Sequence, residues 1–238
     1  MEFWSEGKIN ILDNADGSDG MFAIAHMGVD RLVTDKLLLG GTVQFDWIDQ
    51  KASVTTGEQS GYGWIAGPYA LYKLNDNLYF DVRMGLGKSY NTISPYGTYK
   101  DNFTTDRQLF SAALVGEFNV DGWTISPTLS FDYLKSSQRA YTNGLGANIS
   151  AQDVITRQMS FSPRISYQFQ LGEGVSLTPW AEVVGTLDFS QSSIKTDICG
   201  GADYSTSKNS SVSLGINYDG VGDDENAYGV SARISSAF

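Results

Sequence analysis

The sequence predicts an all-β fold: a closed antiparallel transmembrane β-barrel of about twelve strands, with short periplasmic turns and longer extracellular loops. Three observations carry this. Apolar and polar residues alternate with period two through most of the 238 residues, which puts one kind of side chain on each face of a strand. The alternating segments run about ten to eighteen residues, enough to cross a bilayer at a tilt, whereas strands of soluble sandwiches average about five or six. Short and long polar connections alternate between those segments, as a barrel with turns at one rim and loops at the other requires.

Strands are expected near residues 2–12, 21–33, 37–50, 61–74, 77–92, 104–120, 123–140, 154–171, 175–190, 194–206, 210–219 and 227–238. The clearest runs from Val175 to Phe189. One face carries Val175, Leu177, Pro179, Ala181, Val183, Leu187 and Phe189; the other carries Ser176, Thr178, Trp180, Glu182, Thr186 and Asp188. Leu37, Leu39, Val43, Phe45 and Trp47 alternate in the same way with Thr42, Gln44 and Asp46. Met159, Phe161, Pro163 and Ile165 alternate with Ser160, Ser162 and Arg164. The tenth segment, Ile194 to Thr206, has the faintest alternation. It is kept because bacterial single-chain barrels have even strand counts.

Thr34-Asp35-Lys36, Asn75-Asp76-Asn77, Asp121-Gly122, Gly172-Glu173-Gly174 and Ser207-Lys208-Asn209 make the short connections. Gly, Asn and Asp tolerate the positive φ of tight hairpins. The long connections cover roughly 13–20, 51–60, 93–103, 141–152 and 220–226 and are rich in Gly, Ser, Thr, Asp and Asn. Residues 1–238 are therefore read as one barrel domain.

Composition narrows the function. The net charge of −11 argues against nucleic acid as a partner, because phosphate binding needs a basic surface. The single cysteine, Cys199, can form neither an internal disulfide nor a four-ligand zinc site. No run of 18 apolar residues offers a membrane helix. Met1-Glu2-Phe3-Trp4 has no signal-peptide character, so an export signal is expected upstream of it.

The polar face carries Glu6, Lys8, Asp81, Arg83, Glu117, Arg164, Glu182, Asp188 and Arg233. A charge on the lipid face costs roughly 2–4 kcal/mol at midplane, so these side chains are expected to line a wet lumen. On the last strand, Tyr228, Val230, Ala232, Ile234 and Phe238 share the opposite, lipid-facing side.

Several segments together resemble the autotransporter β-domain, the translocator of type V secretion. Phe3-Trp4-Ser5-Glu6-Gly7 is similar to its first strand. Tyr69 to Leu74, followed by Asn75 to Asp81, resembles its fourth strand, turn and fifth strand. Leu177-Thr178-Pro179-Trp180-Ala181-Glu182 resembles part of its ninth, and Val212 to Gly220 its eleventh.

The resemblance implies a monomeric barrel in a Gram-negative outer membrane, surrounded by its lipid. It also implies a lumen that holds a linker helix and passes an N-terminal passenger; neither passenger nor helix is found in these residues. The strand ending in Phe238, with Tyr228, Val230, Ala232 and Ile234, resembles the signal read by the barrel-assembly machinery, although Ser236 replaces the usual apolar residue. The alternative is a stand-alone outer-membrane porin or adhesin that works through its extracellular loops.

No enzymatic site and no cofactor are expected. His26 is the only histidine, so a Ser-His-Asp triad would depend on it. No G-x-S-x-G elbow occurs. Gly85-Leu86-Gly87 and Gly144-Leu145-Gly146 lack the following helix of a phosphate loop. Asp223-Asp224-Glu225 lacks the ordered oxygen spacing of a Ca²⁺ site and reads as solvated loop.

Overall fold

The structure, a computed structural model, describes residues 1–14, 19–51, 57–206, 210–222 and 225–237. Its strands are β1 (Glu2–Asn14), β2 (Asp19–Thr34), β3 (Leu37–Lys51), β4 (Glu58–Asn75), β5 (Leu78–Ser94), β6 (Asp101–Gly116), β7 (Phe118–Val120) and β8 (Trp123–Gln138). These are followed by β9 (Tyr141–Thr142), β10 (Asn148–Ile149), β11 (Gln152–Tyr167), β12 (Phe169–Gly172), β13 (Val175–Asp188), β14 (Ser193–Ser205), β15 (Ser210–Asp219) and β16 (Glu225–Ala237). A 3₁₀ turn occupies Pro95–Gly97.

Every wall strand pairs antiparallel with its neighbours, and the ring closes on itself. β8 pairs with β11, and β16 pairs with β1 from Glu2↔Ala237 to Asn14↔Glu225. β7 and β12 continue β6 and β11 past one-residue breaks at Glu117 and Gln168, so the 14-stranded sheet makes twelve wall strands. β9 and β10 form a separate two-stranded hairpin in the loop after β8. The faintly patterned tenth segment is a full wall strand: β14 pairs with β13 from Ser176↔Ser205 to Asp188↔Ser193, and with β15 on its other edge.

The connections fall into two classes by rim. The tight one between β7 and β8 shows why its residues were chosen. Asp121 has φ 49° and Gly122 has φ 83°. Two consecutive positive values define the hairpin turn whose twist matches that of the flanking strands. The Ser207-Lys208-Asn209 turn lies outside the described residues, as do Asp223, Asp224 and Phe238.

The molecule is apolar outside and polar inside. Among the described residues, only Ile65 and Ala227 are buried apolar side chains, whereas Asp30, Asp46, Ser89, Thr105, Gln138 and Asp188 are buried polar ones. Leu86 and Ile216, each 67% exposed, stand on the outer face. Water would penalise such a wall, and hydrocarbon would not. Tyr62 and Tyr90 stack at 5.2 Å on the outer face toward the loop rim, while Trp123 and Tyr167 meet edge-on at 5.0 Å beside the turn rim. Such aromatic girdles suit the two membrane interfaces.

Candidate functional site

The interior is identified by contacts that a single sheet layer cannot make. Trp4 on β1 donates its indole N–H to Tyr69 on β4 at 2.8 Å, past β2 and β3. Arg107 on β6 reaches Asp46 on β3 at 2.6 Å, past β4 and β5. Side chains of non-adjacent strands meet only on the concave side, so this face lines a lumen.

Toward the turn rim, the Tyr69 hydroxyl also donates to Asp30 Oδ2 at 2.5 Å. Two glycines make room for the aromatic pair. A Cβ on Gly28 would collide with the Trp4 indole, and one on Gly40 with the Tyr69 ring. Arg233 lies over the Trp4 ring, 5.0 Å from its centroid, and faces Glu6 at 3.4 Å. Asp81 and Arg83 join Trp4, Asp30, Tyr69 and Arg233 around a cavity of about 490 Å³.

On the other side of the lumen, Arg164 binds Asp203 at 2.7 Å and lies 4.1 Å from the Trp180 ring centroid. Trp180 Nε1 and the Ser213 hydroxyl both donate to Asp203 Oδ1, at 3.2 and 2.5 Å. Glu182 stands opposite Arg164 in register, yet the guanidinium turns to Asp203. Trp180 fits because Gly201 and Gly215 carry no side chains beneath it.

Nearer the loop rim, Lys8 and Asn10 converge on Asp219 at 3.4 and 2.8 Å. Asp188 accepts from Gln158 Nε2 at 3.0 Å and from the backbone N–H groups of Ser190 and Gln191. Its carboxylate thus fastens the loop after β13.

The charges read from sequence are therefore dispersed. Glu6, Arg233, Asp81 and Arg83 gather near Trp4 and Tyr69. Arg164, Glu182 and Asp188 belong to the opposite side, while Lys8 stands on β1 beside Glu6 and turns to Asp219. Glu117 lies exposed in the break between β6 and β7, its backbone held by Asn77. Tyr228, Val230, Ala232 and Ile234 face outward on β16.

Asp30, Asp46, Arg107, Asp203 and Asp219 hold the lumen networks, but the sequence reading did not name them as site residues. Period-two alternation assigns a face and says nothing of which distant strand lies across it. His26 pairs with Gln44 at 2.9 Å on the inner wall. No group of three or more metal-ligating side chains occurs among the described residues.

Comparison with known proteins adds the family. The model of the autotransporter beta-domain matches residues 3–217. The chain belongs to the autotransporter β-domain family. The β-domain of the Bordetella autotransporter BrkA superimposes with a TM-score of 0.84 at 15% identity, covering 99% of this chain and 98% of that one. The transport unit of AIDA-I from Escherichia coli gives 0.79 at 15% identity, covering 100% and 90%. The translocator domain of NalP from Neisseria meningitidis gives 0.74 at 13% identity, covering 100% and 88%. At these identities the likeness shows the fold alone. A comparison with curated proteins gave no match. Autotransporter β-domains belong to Gram-negative outer membranes.

Proposed function

We propose that this β-domain anchors an N-terminal passenger in a Gram-negative outer membrane and exports it through, or together with, its lumen. The observation that carries the reading is the family match over residues 3–217, on a barrel with a polar interior, which we read as a wet passage. Glu6, Lys8, Asp81, Arg83, Arg164, Glu182, Asp188 and Arg233 line that passage, and Glu117 sits at its turn rim. Their role is to hold a linker helix or water by charge and hydrogen bonds. The chain does no bond chemistry of its own. Tyr228, Val230, Ala232 and Ile234 on the outward face of β16, with the Phe238 of the sequence motif, are what the barrel-assembly machinery engages, and the barrel works as a monomer in outer-membrane lipid.

The test joins a secretory signal and a protease-sensitive reporter, through a helical linker, to the N-terminus of this chain in a Gram-negative host. Surface display of the reporter, removed by protease added to intact cells, is the expected result. A folded, membrane-inserted barrel with its reporter retained in the periplasm would overturn the translocator role and leave the barrel fold standing.

A further inference from the structure

The strands from β5 to β11 rise past their apolar outer band and then carry charge on the outside. Outward residues follow one another as Met84, Leu86, Lys88 on β5, as Phe131, Tyr133, Lys135 on β8, and as Phe161, Met159, Arg157 on β11. On β8 the first cation thus stands directly beyond the last large aromatic side chain of the strand, and on β5 and β11 it stands within the upper edge of the band, with Tyr90 and Ile155 next outward. That level is where headgroups meet a barrel wall.

This arc holds four outward cations, Lys88, Lys135, Arg139 and Arg157, against two carboxylates, Asp106 and Asp153. In a chain of net charge −11, such a surplus is local and one-sided. On β13 to β16 and on β1, no Lys or Arg faces outward among the described residues. On β3 and β4 the corresponding level carries Asp49 and Glu58, with Lys51 opposite Glu58.

The pairing inside the arc leaves donors free for an anion. Arg139 bonds Asp106 at 2.9 Å while its side chain is 81% exposed, and Lys88 shares the same carboxylate at 3.7 Å. Lys135 holds Asp153 at 2.8 Å. Arg157 sits 6.0 Å from the centroid of the Tyr133 ring, and among the described residues it has no carboxylate partner. In register, Tyr133 faces Arg157 and Lys135 faces Ile155. Lys135 and Arg157 are therefore diagonal neighbours on one face, with Tyr133 directly opposite Arg157.

We propose that this arc is a docking surface for a phosphorylated glycolipid of the leaflet on the loop side. Arg157 and Lys135 hold a headgroup phosphate, and Tyr133 meets the sugar ring or the start of the acyl region. Basic clusters at a membrane interface attract anionic headgroups in this way. The position fits a lipid better than a free anion, because the apolar wall directly beneath would take the acyl chains. The inference rests on the reading of the chain as a membrane barrel.

The test uses the 238-residue chain folded in detergent, with bis-phosphorylated lipid A as the probe and native mass spectrometry as the readout. Wild-type barrel is expected to retain lipid A, and the double variant Arg157→Gln/Lys135→Gln to bind it roughly tenfold or more weakly, the order set by two lost cations. Arg31→Gln, at the outward turn rim, is expected to bind like wild type. A gel shift on heating confirms that each variant is folded. Equal retention by the double variant would overturn the proposal, as would equal retention of phosphatidylcholine or displacement by inorganic phosphate alone. Absence of the gel shift in the wild type would instead count against the membrane barrel itself.

Discussion

The two sides of the barrel wall differ in height. β4 and β5 run 18 and 17 residues, and β6, β8 and β11 run 16 each. β13, β14, β15, β16 and β1 run 14, 13, 10, 13 and 13. A bilayer crossing takes about nine to eleven tilted residues, so the first group overshoots by more than the second. Where strands overshoot more, Lys88, Asp106, Lys135 and Arg157 face outward. Where they overshoot less, Lys8, Lys195, Asp197, Asp203 and Asp219 all face the lumen. Surplus strand length is what permits charge on the outside.

The largest effect should come from breaking that rule. Ile216→Arg puts a cation on the short side within the apolar band and is expected to destabilise by about 2–4 kcal/mol. Ser137→Arg, beyond the band on the tall side, should change stability by no more than about 0.5 kcal/mol. Denaturant unfolding in lipid vesicles measures both, and equal costs would mean that wall height does not set the membrane boundary.

The interior repeats the contrast. The Arg107–Asp46 pair is only 14% and 10% exposed, whereas the Arg164–Asp203 pair is 33% and 30% exposed. Arg107→Gln strands a buried carboxylate and is expected to cost about 3 kcal/mol. Arg164→Gln leaves Asp203 with Trp180, Ser213 and water, and should cost nearer 1 kcal/mol. Double-mutant cycles with the two aspartates give the comparison directly.

Backbone spacing should show a smaller difference. A Cβ on Gly87 would run into the Trp64 carbonyl, while one on Gly200 comes no nearer than 3.6 Å to the Trp180 carbonyl. Gly87→Ala is expected to cost about 1–3 kcal/mol, and Gly200→Ala no more than about 0.5 kcal/mol. Chemical unfolding of the two alanine variants would sharpen or erase the distinction.

The smallest effect belongs to the turn after β4. The Lys73 ammonium, 2.9 Å from the exposed Asp76 carboxylate, holds that carboxyl below its ordinary range. A depressed folded value stabilises above the unfolded pKa, and that help is lost as pH falls through the folded one. Lys73→Gln should return the Asp76 titration midpoint, followed by NMR, toward the ordinary carboxylate range.

The wall was legible from sequence because a strand writes its two faces into alternate residues. Leu177, Pro179 and Ala181 against Thr178, Trp180 and Glu182 needed no further information. The tenth strand is faint in the sequence because Gly200, Gly201 and Ala202 mute the pattern, and the inward one, Gly201, is small where Trp180 crosses it. The lumen was legible only as a list of inward charges. Asp203 lies one strand beyond Glu182, and nothing in the spacing says which carboxylate Arg164 selects. The breaks at Glu117 and Gln168 were also invisible, since each interrupts an otherwise continuous alternation near the turn rim.

The seam between β1 and β16 bears on how the ring forms in time. Every other junction of the wall joins strands that follow one another along the chain, while this one pairs Glu2 with Ala237. A contact across nearly the whole sequence carries the greatest loop-closure entropy and cannot nucleate early. The hairpins can assemble progressively, but the cylinder stays an open sheet with two hungry edges until the final strand arrives. Closure is therefore the slow and cooperative step, and an unfinished chain exposes the most reactive edge of the molecule.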